Sequence, residues 1–255
     1  MHRWLSSPLG QYLLAWEQAC VNEAVGNAFG YHAVQVGMPQ LQSLQNNRMP
    51  FRWQASCGPD PDAATAQAHV QCEWDALPFA NNSLDLVVLP HTLELSRDPH
   101  LTLSEVERVL LPQGRLVILG FNPSSLWGWR SRLPVGREDS PGQAGPADLA
   151  RLMRQALAYR RVRDWLRLLS LEVEDARFGC WRGPTRHPHW LERMAWMDRV
   201  GERWWPVLGA VYFISAVKRV RGMRLVGLSR QHARAPSPTT SAVAQRHHRQ
   251  PHQDG

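Results

Sequence analysis

The chain alternates between short unbroken apolar runs and longer stretches with helical spacing, and their order predicts a layered α/β fold. The clearest stretch runs from Trp74 to Pro123. Leu84–Leu89 (LDLVVL) is a nearly continuous apolar run between Asn81–Asn82–Ser83 and Pro90, as for a strand buried on both faces. From Leu101 to Leu111 the apolar residues Leu103, Val106, Val109 and Leu110 recur at helical spacing. Pro112–Gln113–Gly114 ends that helix, because proline cannot continue it and glycine tolerates the turn. Arg115–Phe121 (RLVILGF) is a second buried strand. Two strands joined by a helix make a βαβ unit, hence a parallel sheet with its ligand crevice at the strands' C-terminal ends.

The same signals extend both ways. Leu9–Ala28 reads as an amphipathic helix with start signals at Ser7 and Pro8 and a stop at Gly30. Tyr31–Gly37, Phe51–Ser56 and His69–Trp74 are three further strand candidates, with a turn-rich connection over Cys57–Ala64. Asn122–Pro146, rich in Pro, Gly and Ser, reads as a long loop. Ala147–Ala158 and Arg161–Leu169 read as helices, Leu171–Phe178 as a strand, Trp190–Trp204 as a helix and Val211–Val220 as a seventh strand. Trp204 and Trp205, beside Pro206, are expected to pack against these last strands. The division predicted is a helical extension over 1–30, one α/β domain over 31–228, and a disordered basic tail over 229–255, which is polar and almost free of large apolar groups.

Composition changes this picture little. With 255 residues and 44% apolar content the chain suits one core with extensions. The net charge is +7, but four arginines against Asp254 in the tail supply +3 of it. Arg151, Arg154, Arg160, Arg161, Arg163 and Arg167 form a basic run; a solvated helix face is the simpler reading, a nucleic-acid surface the competing one. The four cysteines show no C-x-x-C spacing, so neither a disulfide framework nor a metal site is expected. No apolar run is long enough to span a membrane and no signal-like N-terminal core is seen, which leads to an expected cytoplasmic location.

The string DALPFANNSLDLVV, followed by HTLEL, DP and EVERVLLPQGRLVI, resembles the second half of a class I S-adenosylmethionine-dependent methyltransferase domain of the type 11-like branch. The resemblance covers residues 70 to 122 closely and 30 to 220 more loosely. It implies a seven-stranded Rossmann-like sheet of order 3-2-1-4-5-7-6 with helices on both faces and the last strand antiparallel. It also implies S-adenosylmethionine as cofactor and methyl transfer to an unidentified acceptor, a small molecule rather than nucleic acid, by a monomer or homodimer. The alternative is a methyltransferase-fold protein that has lost catalysis and works as a binding or regulatory module.

That alternative comes from the glycine-rich turn. The family pattern D-x-G-x-G-x-G falls on Gln35-Val36-Gly37-Met38-Pro39-Gln40-Leu41. Gly37 matches the first glycine, but Gln35 replaces the acid, and Pro39 and Leu41 replace later glycines. No acid follows Phe51–Ser56 before Asp60, so the ribose-binding carboxylate is missing as well. The third-strand match is better: Asp75, Ala76 and Leu77 correspond to the segment that meets the adenine. Leu89 and His91 close the fourth strand, where the methyl group would lie, with His91 a candidate base. Asn122, after the fifth strand, is the second catalytic candidate, and Trp127 or Trp129 would wall the acceptor pocket. Asp85 is expected to be structural, Glu94 solvated, and Glu105 and Arg108 surface ion-pair residues.

Overall fold

A computed structural model of the chain describes residues 2–58, 68–132, 146–185 and 187–219. The predicted tail and most of the predicted 122–146 loop lie outside them. Seven strands form one sheet in the order β3-β2-β1-β4-β5-β7-β6. They are β1 (His32–Val36), β2 (Phe51–Ser56), β3 (His69–Gln71), β4 (Leu84–Pro90), β5 (Leu110–Phe121), β6 (Leu171–Gly179) and β7 (Val211–Lys218). β1 pairs in parallel with both β2 and β4, and β4 with β5, whereas β7 runs antiparallel between β5 and β6. This is the order and direction that the resemblance implies.

The continuous apolar strands are central. Leu86, Val87, Val88 and Leu89 of β4 and Leu116, Val117 and Ile118 of β5 are fully buried because helices cover both faces. One face packs Ala33, Leu86, Val88 and Val117 against α2 (Pro8–Gly26) and α6 (Pro146–Gln155). The other packs Val34, Val36, Val87 and Leu89 against α4 (Pro99–Val109) and α7 (Tyr159–Leu168). α2 starts where the sequence signals it: the Ser7 side chain accepts from the Gly10 N–H, with proline at the first helical position. α4 is capped by Asp98, whose carboxylate accepts from the His100 and Leu101 N–H groups. Its Leu103, Val106 and Val109 face the sheet. Asp85 has the structural role expected, accepting the backbone N–H groups of Tyr31 (2.8 Å) and His32 (2.9 Å) where β1 begins.

Several elements differ from the periodicity reading. α5 (Leu126–Arg132) lies inside the predicted long loop, and β3 stops at Gln71, short of Trp74. The predicted Trp190–Trp204 helix is two pieces, α8 (Pro188–Arg193) and α9 (Trp196–Trp204), followed by a 3-10 turn over Pro206–Leu208. Two one-turn helices, α1 (His2–Leu5) and α3 (Thr92–Leu95), are too short for a periodic signal. Trp204 and Trp205 do not pack the late strands as expected: they are 70% and 53% exposed, and it is Trp181 that packs against α9, at Gly201. Among the described residues no helix is long and apolar enough to cross a membrane.

Candidate functional site

In an open α/β sheet the ligand crevice opens where the strand order reverses, at the C-terminal ends of the strands. Here that point lies between β1 and β4. Gly37 follows β1 with φ +81°, a left-handed conformation that favours glycine. A Cβ there would come within 3.2 Å of Thr92 Oγ1 and 3.8 Å of Trp74 Cζ2, so three chain segments converge on this glycine. The Thr92 hydroxyl donates to the Val36 carbonyl and ties the end of β4 to the end of β1. The Trp74 indole N–H is buried beside Gly37 without a hydrogen-bond partner.

Gln35 is buried at 2% exposure and spends its whole amide on the turn that follows. Its Nε2 donates to the carbonyls of Met38 (2.8 Å) and Leu41 (2.7 Å), and its Oε1 accepts from the Ser43 N–H (3.0 Å). Gln54 of β2 adds a bond to the Gly37 carbonyl (2.8 Å). The residues that replace the later glycines are thereby built into the fold, and Leu41 is a core residue at 1% exposure.

Asp75 and Ala76 are exposed just beyond β3, and Leu77 is buried. Their loop is held from behind by α4. Arg108 donates to the carbonyls of Leu77 (3.1 Å) and Phe79 (3.0 Å) and pairs with Glu105 (2.8 Å), which accepts the Leu77 N–H (3.3 Å). Glu105 and Arg108 are thus an ion pair, as expected, that also shapes the loop. At the end of β2, where no acid stands, the Ser56 hydroxyl pairs with His69 Nε2 (2.9 Å).

His91 ends β4 in a left-handed conformation (φ +54°) and is fully buried. Its Nε2 lies 2.7 Å from Glu17 of α2 and its Nδ1 2.9 Å from Glu94 of α3. Burial alone lowers the basicity of the imidazole, but the two carboxylates outweigh it and push the pKa up to about 10. Burial pushes Glu94 up as well, against His91 and the Phe121 N–H that it accepts. Glu94 is therefore buried, not solvated: from α3 it accepts the Phe121 N–H and ties the end of β4 to the end of β5. Glu17 Oε2 is buried with no partner. The sequence reading missed Glu17, although an acid in the apolar stripe Leu13, Val21, Val25 of one helix was the available signal.

Asn122 is buried after β5. Its Nδ2 donates to the carbonyls of Val207 (2.8 Å) and Gly209 (2.9 Å), and its Oδ1 accepts the Ser124 N–H (3.0 Å). Trp127 is fully buried and donates to the Arg182 carbonyl (2.7 Å), whereas Trp129 is 61% exposed. Beside them Tyr12 of α2 donates to Asp198 of α9, and Arg182 pairs with Asp198 (2.8 Å) while lying over the Tyr12 ring (4.4 Å). Burial, with Cys180 and Asp198 nearby, pushes the Tyr12 hydroxyl well above its ordinary range, so it stays a donor. The structure thus brings Gly37, Trp74, Asp75, Leu89 and His91 to one end of the sheet and sets Asn122 against the 207–209 segment.

Residues 53–118 match the model of a family described as a methyltransferase domain. The protein YafS of Escherichia coli strain K12 is 45% identical over 107 residues, which are 42% of this chain and 40% of YafS, so the chain spans less than half of that relative's length. Among solved structures, the chain is similar to one from the complex of the Haloferax volcanii Trm112 methyltransferase activator with a methyltransferase (TM-score 0.56, 16% identity, 86% of this chain and 96% of that one). It is also similar to a Thermotoga maritima S-adenosylmethionine-dependent methyltransferase (TM-score 0.54, 14% identity, 83% and 91% covered). At these identities the structural likenesses establish the fold. Residues 53–118 thus carry a methyltransferase-domain match, and the sheet order is that of the class I methyltransferase fold.

Proposed function

We propose that the protein is an S-adenosylmethionine-dependent methyltransferase acting on a small-molecule acceptor. The observation that carries this reading is the convergence at Gly37: a left-handed glycine at the switch point, with the orphaned Trp74 indole N–H beside it. A buried donor without a partner is costly, and a ligand acceptor group would satisfy it. The described residues fit the nucleoside half of the cofactor: Gly37 leaves backbone room, and Asp75, Ala76 and Leu77 present a carboxylate and a loop set by Arg108. When bound, S-adenosylmethionine supplies a methyl group already activated on a sulfonium, so the protein's share is orientation and exclusion of water.

In this reading Leu89 floors the crevice. His91, protonated between Glu17 and Glu94 at neutral pH, acts as a fixed positive post that sets the β4 end. Asn122 acts through the backbone it holds at 207–209. Asp75→Ala is expected to weaken cofactor affinity about tenfold, the loss of one hydrogen bond to a charged group, without unfolding the protein.

A second reading has one specific observation in its favour. Gln35 stands where the family has an acid, and its polar atoms are all engaged within the chain, which suits a binding module without catalysis. Calorimetric titration with S-adenosylmethionine and S-adenosylhomocysteine separates the two. Micromolar binding supports the enzyme; absence of binding by folded protein refutes it and favours the module.

A further inference from the structure

The largest unexplained feature outside the crevice is an apolar surface at the same end of the sheet. Trp204, Trp205, Pro206, Val207 and Leu208 are consecutive and all exposed. The two tryptophans stand 70% and 53% exposed, Val207 58% and Leu208 44%. α9 carries this surface back along one side, since Trp196, Val200 and Trp204 recur at four-residue spacing and Trp196 is 55% exposed. The edge of this face at Gly201 is packed, since a Cβ there would collide with the Trp181 ring at 2.3 Å. The apolar face of the helix is thus covered along its Gly201 edge, while Trp196 and Trp204 on the same face remain exposed. Asn122 ties Val207 and Gly209 to the turn that leads into α5, which adds exposed Leu126 and Trp129 at this end of the molecule.

The charges around this surface are one-sided. Arg130, Arg132, Arg193, Arg199 and Arg203 are exposed on α5, α8 and α9. Against them stand Glu192 and Glu202, while Asp198 is already paired with Arg182. Tryptophan with short aliphatics at the centre and arginine at the flanks is the composition that rests at a lipid–water boundary, the rings at headgroup depth and the guanidinium groups on anionic headgroups. Within the Trp204–Leu208 run itself the rings stand beside Pro206, Val207 and Leu208 with no basic side chain between them, which suits insertion at a headgroup boundary.

We propose that the α9 face together with the Trp204–Leu208 run is a docking surface for an anionic phospholipid bilayer, on which the protein lies without spanning it. The proposal does not depend on methyl transfer, and its test does not read it.

The test is flotation of the full chain with vesicles of phosphatidylcholine alone and of phosphatidylcholine mixed equally with phosphatidylglycerol. Expected is binding to the anionic vesicles, roughly tenfold stronger than to the neutral ones. The double variant Trp204→Ser/Trp205→Ser should lose most of it at an unchanged melting temperature. The side chains are exposed, and Trp181 bonds only the Trp205 carbonyl (3.1 Å), which the variant keeps. Arg199→Glu/Arg203→Glu should abolish the preference for anionic lipid. Absence of flotation by the wild type overturns the proposal, as does flotation that survives the tryptophan variant, which would assign binding to charge elsewhere. So does a concentration-dependent dimer that the tryptophan variant dissolves while vesicles bind nothing, which would make the occupant a second copy.

Discussion

At Gln35 a single substitution in a family pattern changes what a side chain is for. An acid at this position would face the carbonyls of Met38 and Leu41, which need donors; the glutamine amide supplies them and lets Pro39 and Leu41 replace glycines. Restoring the family's acid is therefore predicted to harm the protein. Gln35→Glu should lower unfolding free energy by about 3 kcal/mol, read by urea denaturation, because a buried carboxylate would meet carbonyl oxygens. A neutral result would mean that the turn has other support. His91 gives the second prediction at this scale. Its folded pKa, about 10, lies above the ordinary imidazole value of 6.5, so its stabilisation is complete below about pH 6.5 and is lost as pH rises towards 10. The raised Glu94 acts in the same direction, starting at lower pH. The melting temperature should accordingly fall between pH 7 and 10, and His91→Gln should flatten that slope.

Elements depend on contacts that their own periodicity does not show. α4 was legible from Leu103, Val106 and Val109, yet its Arg108 determines the conformation of the 77–81 loop on another segment. Arg108→Ala should cost only about 1 kcal/mol globally, since the pair with Glu105 is partly exposed. Amide exchange from Ala76 to Asn82 should nevertheless quicken. α2 is tied to the far edge of the sheet by close approach: a Cβ at Gly179, the end of β6, would lie 2.0 Å from the Trp16 ring. Gly179→Ala is predicted to destabilise by about 1–3 kcal/mol in thermal melts, because neither an indole nor a strand end yields easily.

For the molecule as a whole, the N-terminal helix contributes to the interior that surrounds the crevice. Leu13, Glu17, Val21 and Val25 of α2 are fully buried. Ligand binding at the β1–β4 switch point should therefore report on global stability. S-adenosylhomocysteine at a hundredfold excess over its dissociation constant should stabilise by about 2.7 kcal/mol, a rise in melting temperature of roughly 5–10 °C. No rise at any accessible concentration would favour the binding module.

The sequence by itself determined the strands and the two long helices that flank β4 and β1, because continuous apolar runs and helical spacing are local consequences of burial on two faces or one. The string around Asp75 to Leu119 and the loss of the later glycines were equally visible in it. Only the tertiary structure decided what the unusual residues do. Glu17 and His91 are 74 positions apart and meet because α2 crosses the end of β4. Gln35 is a turn support because Met38 and Leu41 fold back over it. Trp204 and Trp205 stay exposed although Gly201, one turn before them, packs against Trp181. A residue's partners depend on packing between elements distant in the chain, and no spacing rule within one segment encodes them.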